Sequence, residues 1–195
     1  MMKSVVRVAT IVDDTLAEGP GRRWALWVQG CPIRCAGCCN PEMFDERGGT
    51  EWSVADLLAR IPSEVEGVTF LGGEPFTQAT ELAALARAVK ARGLTVMVFS
   101  GYPLAELQAR ADAAALLACI DLLVDAPYDR ERPEPRPPVG RRWIGSTNQT
   151  MHFLTPAYSP DDPRMREANT IEIRISRAAL LINGWPSAQQ LVKRR

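Results

Sequence analysis

Apolar and polar residues are distributed along the chain in a way that predicts short strands first and then strands alternating with helices. β-branched residues over 5–12 predict a first strand, and the apolar run over 24–28 predicts a second. Ser53, followed three residues later by Asp56, is a typical start for a short helix over 53–60. Residues 31–50 combine cysteines with scattered glycines and are predicted to form a loop.

The middle of the chain predicts a parallel sheet covered by helices. Its apolar strand segments are short and continuous, and amphipathic or alanine-rich segments separate them, which is typical of strands buried on both faces. The clearest helix carries its leucines on one face and ends at Gly93. The predicted elements are a strand over 68–71, a helix over 78–92, a strand over 94–99, a helix over 104–119 and a strand over 120–124.

The last third of the chain has a different pattern. Residues 129–142 are rich in proline and arginine and predict a surface loop, and 158–167 predict another loop. Residues 170–175 then alternate with a period of two, and 180–182 can pair back with them. We therefore expect one α/β domain over 1–195, with a core of about 4–153 and a β extension over 168–195.

Composition and charge narrow the classes of function. The chain has 195 residues, with 23 basic and 23 acidic side chains, so no net charge favours nucleic acid or an anionic membrane. Its apolar runs are much shorter than the roughly 20 residues of a spanning helix. The N-terminal residues carry no apolar signal region. We expect a cytoplasmic protein that binds neither nucleic acid nor membrane.

The cysteines carry the strongest chemical signal. Four of the five lie between residues 31 and 39, which favours a metal site over a disulfide framework. Cys31, Cys35 and Cys38 follow a three-then-two spacing with no second pair of cysteines, which suits a [4Fe-4S] cluster with one open iron. The alternative is a structural zinc site with Cys39 or His152 as the fourth ligand. The fifth cysteine, Cys119, is predicted to be a small buried apolar residue.

Candidate binding residues follow the predicted strands. Gly72 and Gly73 allow the backbone to approach a ligand closely, and Glu74 lies at the strand end that usually faces ligands in α/β folds. The Ser100 hydroxyl can donate or accept a hydrogen bond at the next strand end. Asp125 follows the strand after that. Each of these positions also fits an ordinary turn or a helix cap, so the residues alone leave both interpretations open.

Several motifs together resemble the radical S-adenosylmethionine enzymes, and among them the activating enzymes of glycyl radical proteins, above all the activases of anaerobic ribonucleotide reductase. The resemblance covers about residues 4–153. It rests on the segments Gly19-Pro20-Gly21-Arg22, Leu26-Trp27-Val28-Gln29-Gly30-Cys31-Pro32, Cys35-Ala36-Gly37-Cys38-Cys39-Asn40-Pro41-Glu42, Gly72-Gly73-Glu74-Pro75, Ser100-Gly101-Tyr102, Asp121-Leu122-Leu123-Val124-Asp125 and Gly145-Ser146-Thr147-Asn148-Gln149.

The resemblance implies a fold, cofactors and their ligands. The fold would be α/β, an open partial (β/α) barrel of the radical S-adenosylmethionine type with a short C-terminal β extension. Cys31, Cys35 and Cys38 would hold the [4Fe-4S] cluster, and S-adenosyl-L-methionine would bind its open iron. The residues that the resemblance implies for cofactor binding are Gly72, Gly73, Glu74, Pro75, Ser100, Asn40, Asp125, Asn148 and Gln149.

The resemblance also implies a reaction and partners. The electron of the reduced cluster would cleave S-adenosylmethionine, and the resulting 5′-deoxyadenosyl radical would take a hydrogen atom from a glycine of a partner glycyl radical protein. An electron donor such as flavodoxin or ferredoxin would reduce the cluster. Two alternatives stay open: a radical enzyme acting on a peptide or small metabolite, and a zinc-stabilised interaction module. The resembling activases are shorter and carry an aromatic residue where this chain has Cys39.

Overall fold

Nine strands and four α-helices make up the fold in a computed structural model that describes residues 5–175 and 180–184. The strands are β1 (Val5–Thr15), β2 (Arg23–Val28), β3 (Thr50–Ser53), β4 (Gly67–Gly72), β5 (Thr95–Phe99), β6 (Leu122–Asp125), β7 (Thr150–Phe153), β8 (Ile171–Ile175) and β9 (Leu180–Gly184). The helices are α1 (Val54–Arg60), α2 (Ala79–Ala91), α3 (Leu104–Ala109) and α4 (Ala114–Leu117), with 3₁₀ turns at Pro41–Met43, Pro75–Gln78 and Pro163–Met165.

The first seven strands form one sheet in the order β3-β1-β2-β4-β5-β6-β7. The four central strands β2, β4, β5 and β6 run parallel. β1 and β7 pair antiparallel with β2 and β6, and β3 pairs antiparallel with β1 at the edge. In register, Val28 of β2 pairs with Gly72 of β4, and Phe99 of β5 pairs with Val124 of β6. The carboxyl ends of the parallel strands therefore meet at one edge, where α/β folds place their ligands.

The two faces of the sheet are covered by different parts of the chain. Leu82, Leu85 and Val89 of α2 pack on one face against strand residues that include Trp24 and Phe70. The opposite face is covered by later residues, since Trp143, Tyr158 and Met165 pack against Met97, Leu122 and Val124. Both faces of the sheet are therefore covered. On the second face, a cavity can form only where these later residues leave the sheet uncovered.

Several sequence expectations are confirmed. The middle of the chain forms parallel strands connected by helices, as the alternation predicted. Ser53 caps α1, since its hydroxyl accepts a hydrogen bond from the Asp56 amide at 3.1 Å. Gly93 ends the helical turn after α2 with a φ of 77°. Cys119 is buried in the apolar core. The tail forms the β8–β9 hairpin, while 176–179 and 185–195 lie outside the described residues.

The helix expected over 104–119 is wrong as one continuous element. The chain forms α3 and α4 instead, because Arg110 leaves the helical conformation with a ψ of 120°. The Arg110 guanidinium there bonds the Phe76 carbonyl at 3.2 Å and the Asp112 carboxylate at 2.8 Å. These long-range and local contacts replace the continuing helix. Alanine-rich composition alone favoured the single helix.

Two short strands were not predicted, β3 and β7. β3 pairs with residues Val5–Val8 of β1, and β7 pairs with β6. Each has only four residues, and the pairing partner supplies the extended conformation. Residues 129–142 form no helix or strand, in agreement with the predicted loop. Among the residues that the structure describes, no helix combines the length and apolar character needed to cross a membrane.

Candidate functional site

The three spaced cysteines lie on a loop that leaves β2 at its carboxyl end and is closed at its base. The Gly30 amide donates to the Met43 carbonyl at 2.9 Å, and the Cys31 amide donates to the Phe44 carbonyl at 3.3 Å. The Gln29 side chain donates to the carbonyls of Glu42 and Asp45 at 3.2 and 2.6 Å. This network fixes both ends of the loop, so the cysteines start from a defined strand end.

Cys31, Cys35 and Cys38 are half-buried and line one cavity. The Cys38 amide donates to the Cys35 carbonyl at 3.1 Å, which turns the loop back on itself. Burial raises the pKa of the Cys31 and Cys35 thiols. A hydrogen bond with Cys39 lowers the pKa of the Cys38 thiol to about 7 and raises that of the Cys39 thiol. Binding of iron or zinc would deprotonate a coordinating thiol in any case.

The donor set of this loop fits an iron–sulfur cluster. Four cysteines of one loop, the three spaced ones and Cys39, line a common cavity, and thiolate is the ligand that such clusters select. Within 5–175 and 180–184, no three Cys, His, Asp or Glu side chains converge as they would around a single metal ion. A cubane cluster does not need that convergence, because each thiolate binds a different iron. His152, the only histidine, lies on β7 outside the residues that line the cavity.

The Gly72-Gly73-Glu74 turn packs directly against the start of the cysteine loop. The Gly73 amide donates to the Val28 carbonyl and the Glu74 amide to the Gly30 carbonyl, both at 2.8 Å. A Cβ atom on Gly73 would lie 2.3 Å from the Gly30 carbonyl oxygen. Only glycine fits this approach, so the turn and the cysteine loop form one unit. Pro75 continues the turn and is buried beside it, but it does not line the cavity.

The Glu74 side chain connects this turn to the end of β5. Its carboxylate accepts hydrogen bonds from the Ser100 hydroxyl at 2.9 Å, the Gly101 amide at 2.8 Å and the Phe76 amide at 3.0 Å. Burial raises the pKa of Glu74 to about 7. Gly72, Gly73, Glu74 and Ser100 all line the same cavity as the cysteines. The structure therefore brings two predicted motifs and the cysteine loop together.

Asn40 and Gln149 also line the cavity, but Gln149 uses its amide within the protein. Its Oε1 accepts from the amides of Gly145 and Ser146 at 2.9 and 3.1 Å, and its Nε2 donates to the Ala126 carbonyl at 3.2 Å. These bonds hold the loop after residue 145 against the end of β6. The backbone amide of Asn40 donates to the Cys38 sulfur at 3.4 Å, which places Asn40 directly beside the spaced cysteines.

Asp125 and Asn148 lie outside the residues that line the cavity. The Asp125 carboxylate accepts from the amides of Leu104 and Thr150 at 2.6 and 3.2 Å, and its Oδ2 is 2.9 Å from His152 Nε2. The Asn148 amide donates to the Pro127 carbonyl at 2.7 Å. Asp125 therefore holds α3 and β7 at the end of β6. Cofactor binding by these two residues stays a prediction without a direct contact to support it.

The cavity has a volume of about 560 Å³, within the usual range for small-molecule sites. Its apolar walls include Trp27, Leu71 and Phe99 from three neighbouring strands. Part of this lining was not predicted from the sequence, because residues from two distant segments contribute to it. Glu18 comes from the turn after β1, and residues 181–184 come from β9. No motif marks these positions.

Comparison with known proteins places the chain in a family. The family described as "4Fe-4S single cluster domain" matches residues 17–152. The chain is 32% identical to the anaerobic ribonucleoside-triphosphate reductase-activating protein of Vibrio cholerae over 152 residues. These aligned residues cover 72% of this chain and 93% of the relative. It is 29% identical over 142 residues to the protein of the same name from Enterobacteria phage T4, and these residues cover 69% of this chain and 85% of that relative.

A relative with a different target also matches. The pyruvate formate-lyase-activating enzyme of Clostridium pasteurianum is 33% identical over 104 residues, which cover 49% of this chain and 44% of the relative. The region shared with the family includes the cysteine loop, the Gly72-Gly73-Glu74 turn and the Ser100 turn. The chain belongs to the 4Fe-4S single cluster domain family.

Proposed function

We propose that this protein is a radical S-adenosylmethionine enzyme that activates a glycyl radical protein. The observation that carries the proposal is the meeting of the three spaced cysteines and the Gly72-Gly73-Glu74 turn in one cavity. Relatives named as activating proteins of anaerobic ribonucleoside-triphosphate reductase and of pyruvate formate-lyase support it. The target is a glycine of a partner protein of the type that these relatives activate.

Cys31, Cys35 and Cys38 would hold the [4Fe-4S] cluster, and its fourth iron would bind S-adenosylmethionine. The bound cluster would supply one electron, which would split S-adenosylmethionine into methionine and a 5′-deoxyadenosyl radical able to remove a hydrogen atom from glycine. Gly72 and Gly73 line the cavity, and Ser100 and Asn40 add polar side chains to the same lining. Trp27, Leu71 and Phe99 exclude water from the cavity wall.

The wider architecture follows from the same proposal. The four parallel strands with their helices on one face fit an open partial barrel of the radical S-adenosylmethionine type, in a single domain over 1–195. A small redox protein such as flavodoxin or ferredoxin would deliver the electron. The half-exposed cysteine loop supports this, because a donor can approach the cluster from the surface.

The test uses protein purified without oxygen and reconstituted with iron and sulfide. We expect about four irons per chain and release of 5′-deoxyadenosine when S-adenosylmethionine and a chemical reductant are added. Cys35→Ala should lose both. Cys119→Ala is the matched control, since Cys119 is buried in the core away from the cavity, and it should keep both.

Two outcomes would overturn the proposal in different ways. Zinc without iron in the reconstituted wild-type protein would favour the interaction module. Iron and 5′-deoxyadenosine, but no glycyl radical in any candidate partner protein by electron paramagnetic resonance, would favour a radical enzyme acting on a peptide or small metabolite. The contribution of β9 to the cavity is the observation that favours this second candidate function, a radical enzyme acting on a peptide or small metabolite.

A further inference from the structure

The β8–β9 hairpin lies beyond the part of the chain that matches the family. The match ends at residue 152, while the hairpin begins at Ile171 and its described part ends at Gly184. Nevertheless β9 reaches the same cavity as the cysteine loop. A segment outside the shared domain therefore forms part of its candidate active site.

The hairpin is attached through its polar face. In the antiparallel register, Glu172 pairs with Asn183 and Arg174 pairs with Leu181, so these four side chains share one face. Glu172 accepts a hydrogen bond from the Leu16 amide at 2.8 Å, and Arg174 donates to the Asp14 carbonyl. The opposite face is aliphatic and exposes Ile173 and Ile175. The orientation is thus set by directional bonds to the end of β1.

Asn183 and Glu18 form the central contact of this attachment. The Asn183 amide donates to the Thr15 hydroxyl at 3.0 Å and to the Glu18 carboxylate at 3.3 Å. The Gly184 amide donates to the same Glu18 oxygen at 2.7 Å, and Arg174 donates to the Asn183 Oδ1 at 2.6 Å. Both Asn183 and Glu18 are buried. Every polar atom of the Asn183 side chain is used, so this residue fixes β9 in place rather than offering a free group to a ligand.

Leu181 and its neighbour Ile182 both line the cavity, and Leu181 is the one that packs into the apolar wall of the sheet. It packs against the cluster of Val12, Ala25, Trp27, Met43 and Leu71 on the sheet face that carries the cavity. Its neighbour Leu180 instead points to solvent and is 63% exposed. Adjacent leucines on one strand therefore differ in their position: one lines the cavity and the other does not.

We propose that β9 is the wall that determines which polypeptide segment reaches the cysteine loop, with Leu181 as the residue that sets the width of the cavity. This inference rests on the proposed function, since it assumes that a glycine of another chain enters. Because the Asn183–Glu18 contact holds β9 at the cavity wall, an entering segment must pass Leu181 next to its glycine. Small flanking residues pass Leu181, and bulky ones meet it.

The probe is a pair of short synthetic peptides with one central glycine that carries deuterium on its α-carbon. In one peptide alanine flanks the glycine, and in the other phenylalanine does. Transfer of deuterium into 5′-deoxyadenosine, measured by mass spectrometry, reports hydrogen abstraction from glycine directly. The full-length reconstituted protein is compared with Leu181→Ala, which widens the cavity, Leu181→Trp, which narrows it, and Leu180→Ala, which changes a solvent-facing leucine beside it.

The wild-type protein should prefer the alanine-flanked peptide. In Leu181→Ala the preference should fall about 10-fold, a typical effect of opening an apolar pocket. This fall comes from a gain of transfer from the phenylalanine-flanked peptide, whereas in Leu181→Trp transfer should drop even from the alanine-flanked peptide. Leu180→Ala should keep the wild-type preference. Opposite shifts in the two Leu181 variants separate a change in cavity width from a loss of stability, because both substitutions disturb packing.

An unchanged preference in both Leu181 variants would overturn the inference and leave the proposed function standing, since deuterium transfer would still occur. Loss of iron in Leu181→Ala, with iron retained in Leu180→Ala, would also overturn it by assigning β9 to the support of the cluster. Release of 5′-deoxyadenosine without deuterium from either peptide, in every variant, would overturn the proposed function as well. Each result is thus assigned to one of the two proposals or to both.

Discussion

The Glu74 carboxylate accepts a hydrogen bond from the Ser100 hydroxyl at 2.9 Å, across the carboxyl ends of the neighbouring strands β4 and β5. The same carboxylate also accepts from the Gly101 and Phe76 amides, and it is buried. Glu74 therefore holds together two turns, each of which the family resemblance separately implied for cofactor binding. The Glu74 side chain shapes the cavity because it connects the turn after β4 to the turn after β5.

Substitution of Glu74 should show this connecting role. Glu74→Ala removes three hydrogen bonds and leaves the buried Phe76 amide and the partly buried Gly101 amide unpaired, so we expect a loss on the order of 3 kcal/mol in the free energy of unfolding. The affinity for S-adenosylmethionine should fall with it. Chemical denaturation and equilibrium binding measure the two effects. Glu106→Ala, an exposed glutamate on α3, is the control and should change neither by much. A stable Glu74→Ala protein with normal affinity would contradict this role.

A second prediction concerns pH and the buried Glu18. Burial raises the pKa of Glu18 to about 7 from an ordinary value near 4.5. Between these two values the folded protein keeps a proton that the unfolded chain releases, so stability is highest below the lower value and falls as pH rises toward 7. The integrated effect is on the order of 3 kcal/mol at 1.36 kcal/mol for each pKa unit.

Glu18→Gln isolates the contribution of Glu18 ionisation to stability, because glutamine stays neutral and its Oε1 can accept the hydrogen bonds from Asn183 and Gly184. The free energy of unfolding of the variant, minus that of the wild-type protein, should rise from pH 4.5 to 7 and then level off. Denaturant titrations at several pH values measure the difference, in which other titrating groups cancel. A flat difference would show that Glu18 titrates at its ordinary pKa.

The contact between Gly73 and the cysteine loop leads to a third prediction. In Gly73→Ala the new methyl group would meet the Gly30 carbonyl at 2.3 Å, so the turn or the loop must move. We expect poor incorporation of iron, together with reduced stability. Gly93→Ala is the matched control, since its new Cβ would meet no atom within 4 Å and would cost only the strain of a positive φ, about 1–2 kcal/mol. Iron content after reconstitution measures the difference, and equal iron in both variants would contradict the prediction.

The attachment of the hairpin leads to a fourth prediction. Asn183→Ala removes the bonds to Thr15, Glu18 and Arg174, so we expect a loss of about 1–3 kcal/mol and faster amide hydrogen exchange in β8 and β9. Exchange in β4 and β5 should change little. Ile175→Ala, at a residue that is 82% exposed on the outer face, should leave exchange in the hairpin unchanged. Protection of the hairpin in Asn183→Ala equal to that in wild type would show that other contacts hold it.

Much of the fold could be predicted because its signals are local. Continuous apolar runs predicted the parallel strands, and Ser53 predicted the start of α1 through a bond to Asp56, three residues away. The expected helix over 104–119 failed because Arg110 bonds the Phe76 carbonyl, a contact 34 residues away in sequence. β3 and β7 were missed because their extended conformation comes from their pairing partners, β1 and β6.

By itself, the sequence determined which thiols lie on one loop and how they are spaced, because these features do not depend on the rest of the chain. Only the tertiary structure decided what surrounds those thiols. Glu74 reaches Ser100, Asp125 turns to Leu104 and Thr150, and Glu18 meets Gly184, which is 166 residues away in sequence. No local pattern encodes such contacts, since they form between backbone and side-chain groups that only the folded sheet brings together. The wall that β9 adds to the cavity is therefore a property of the fold.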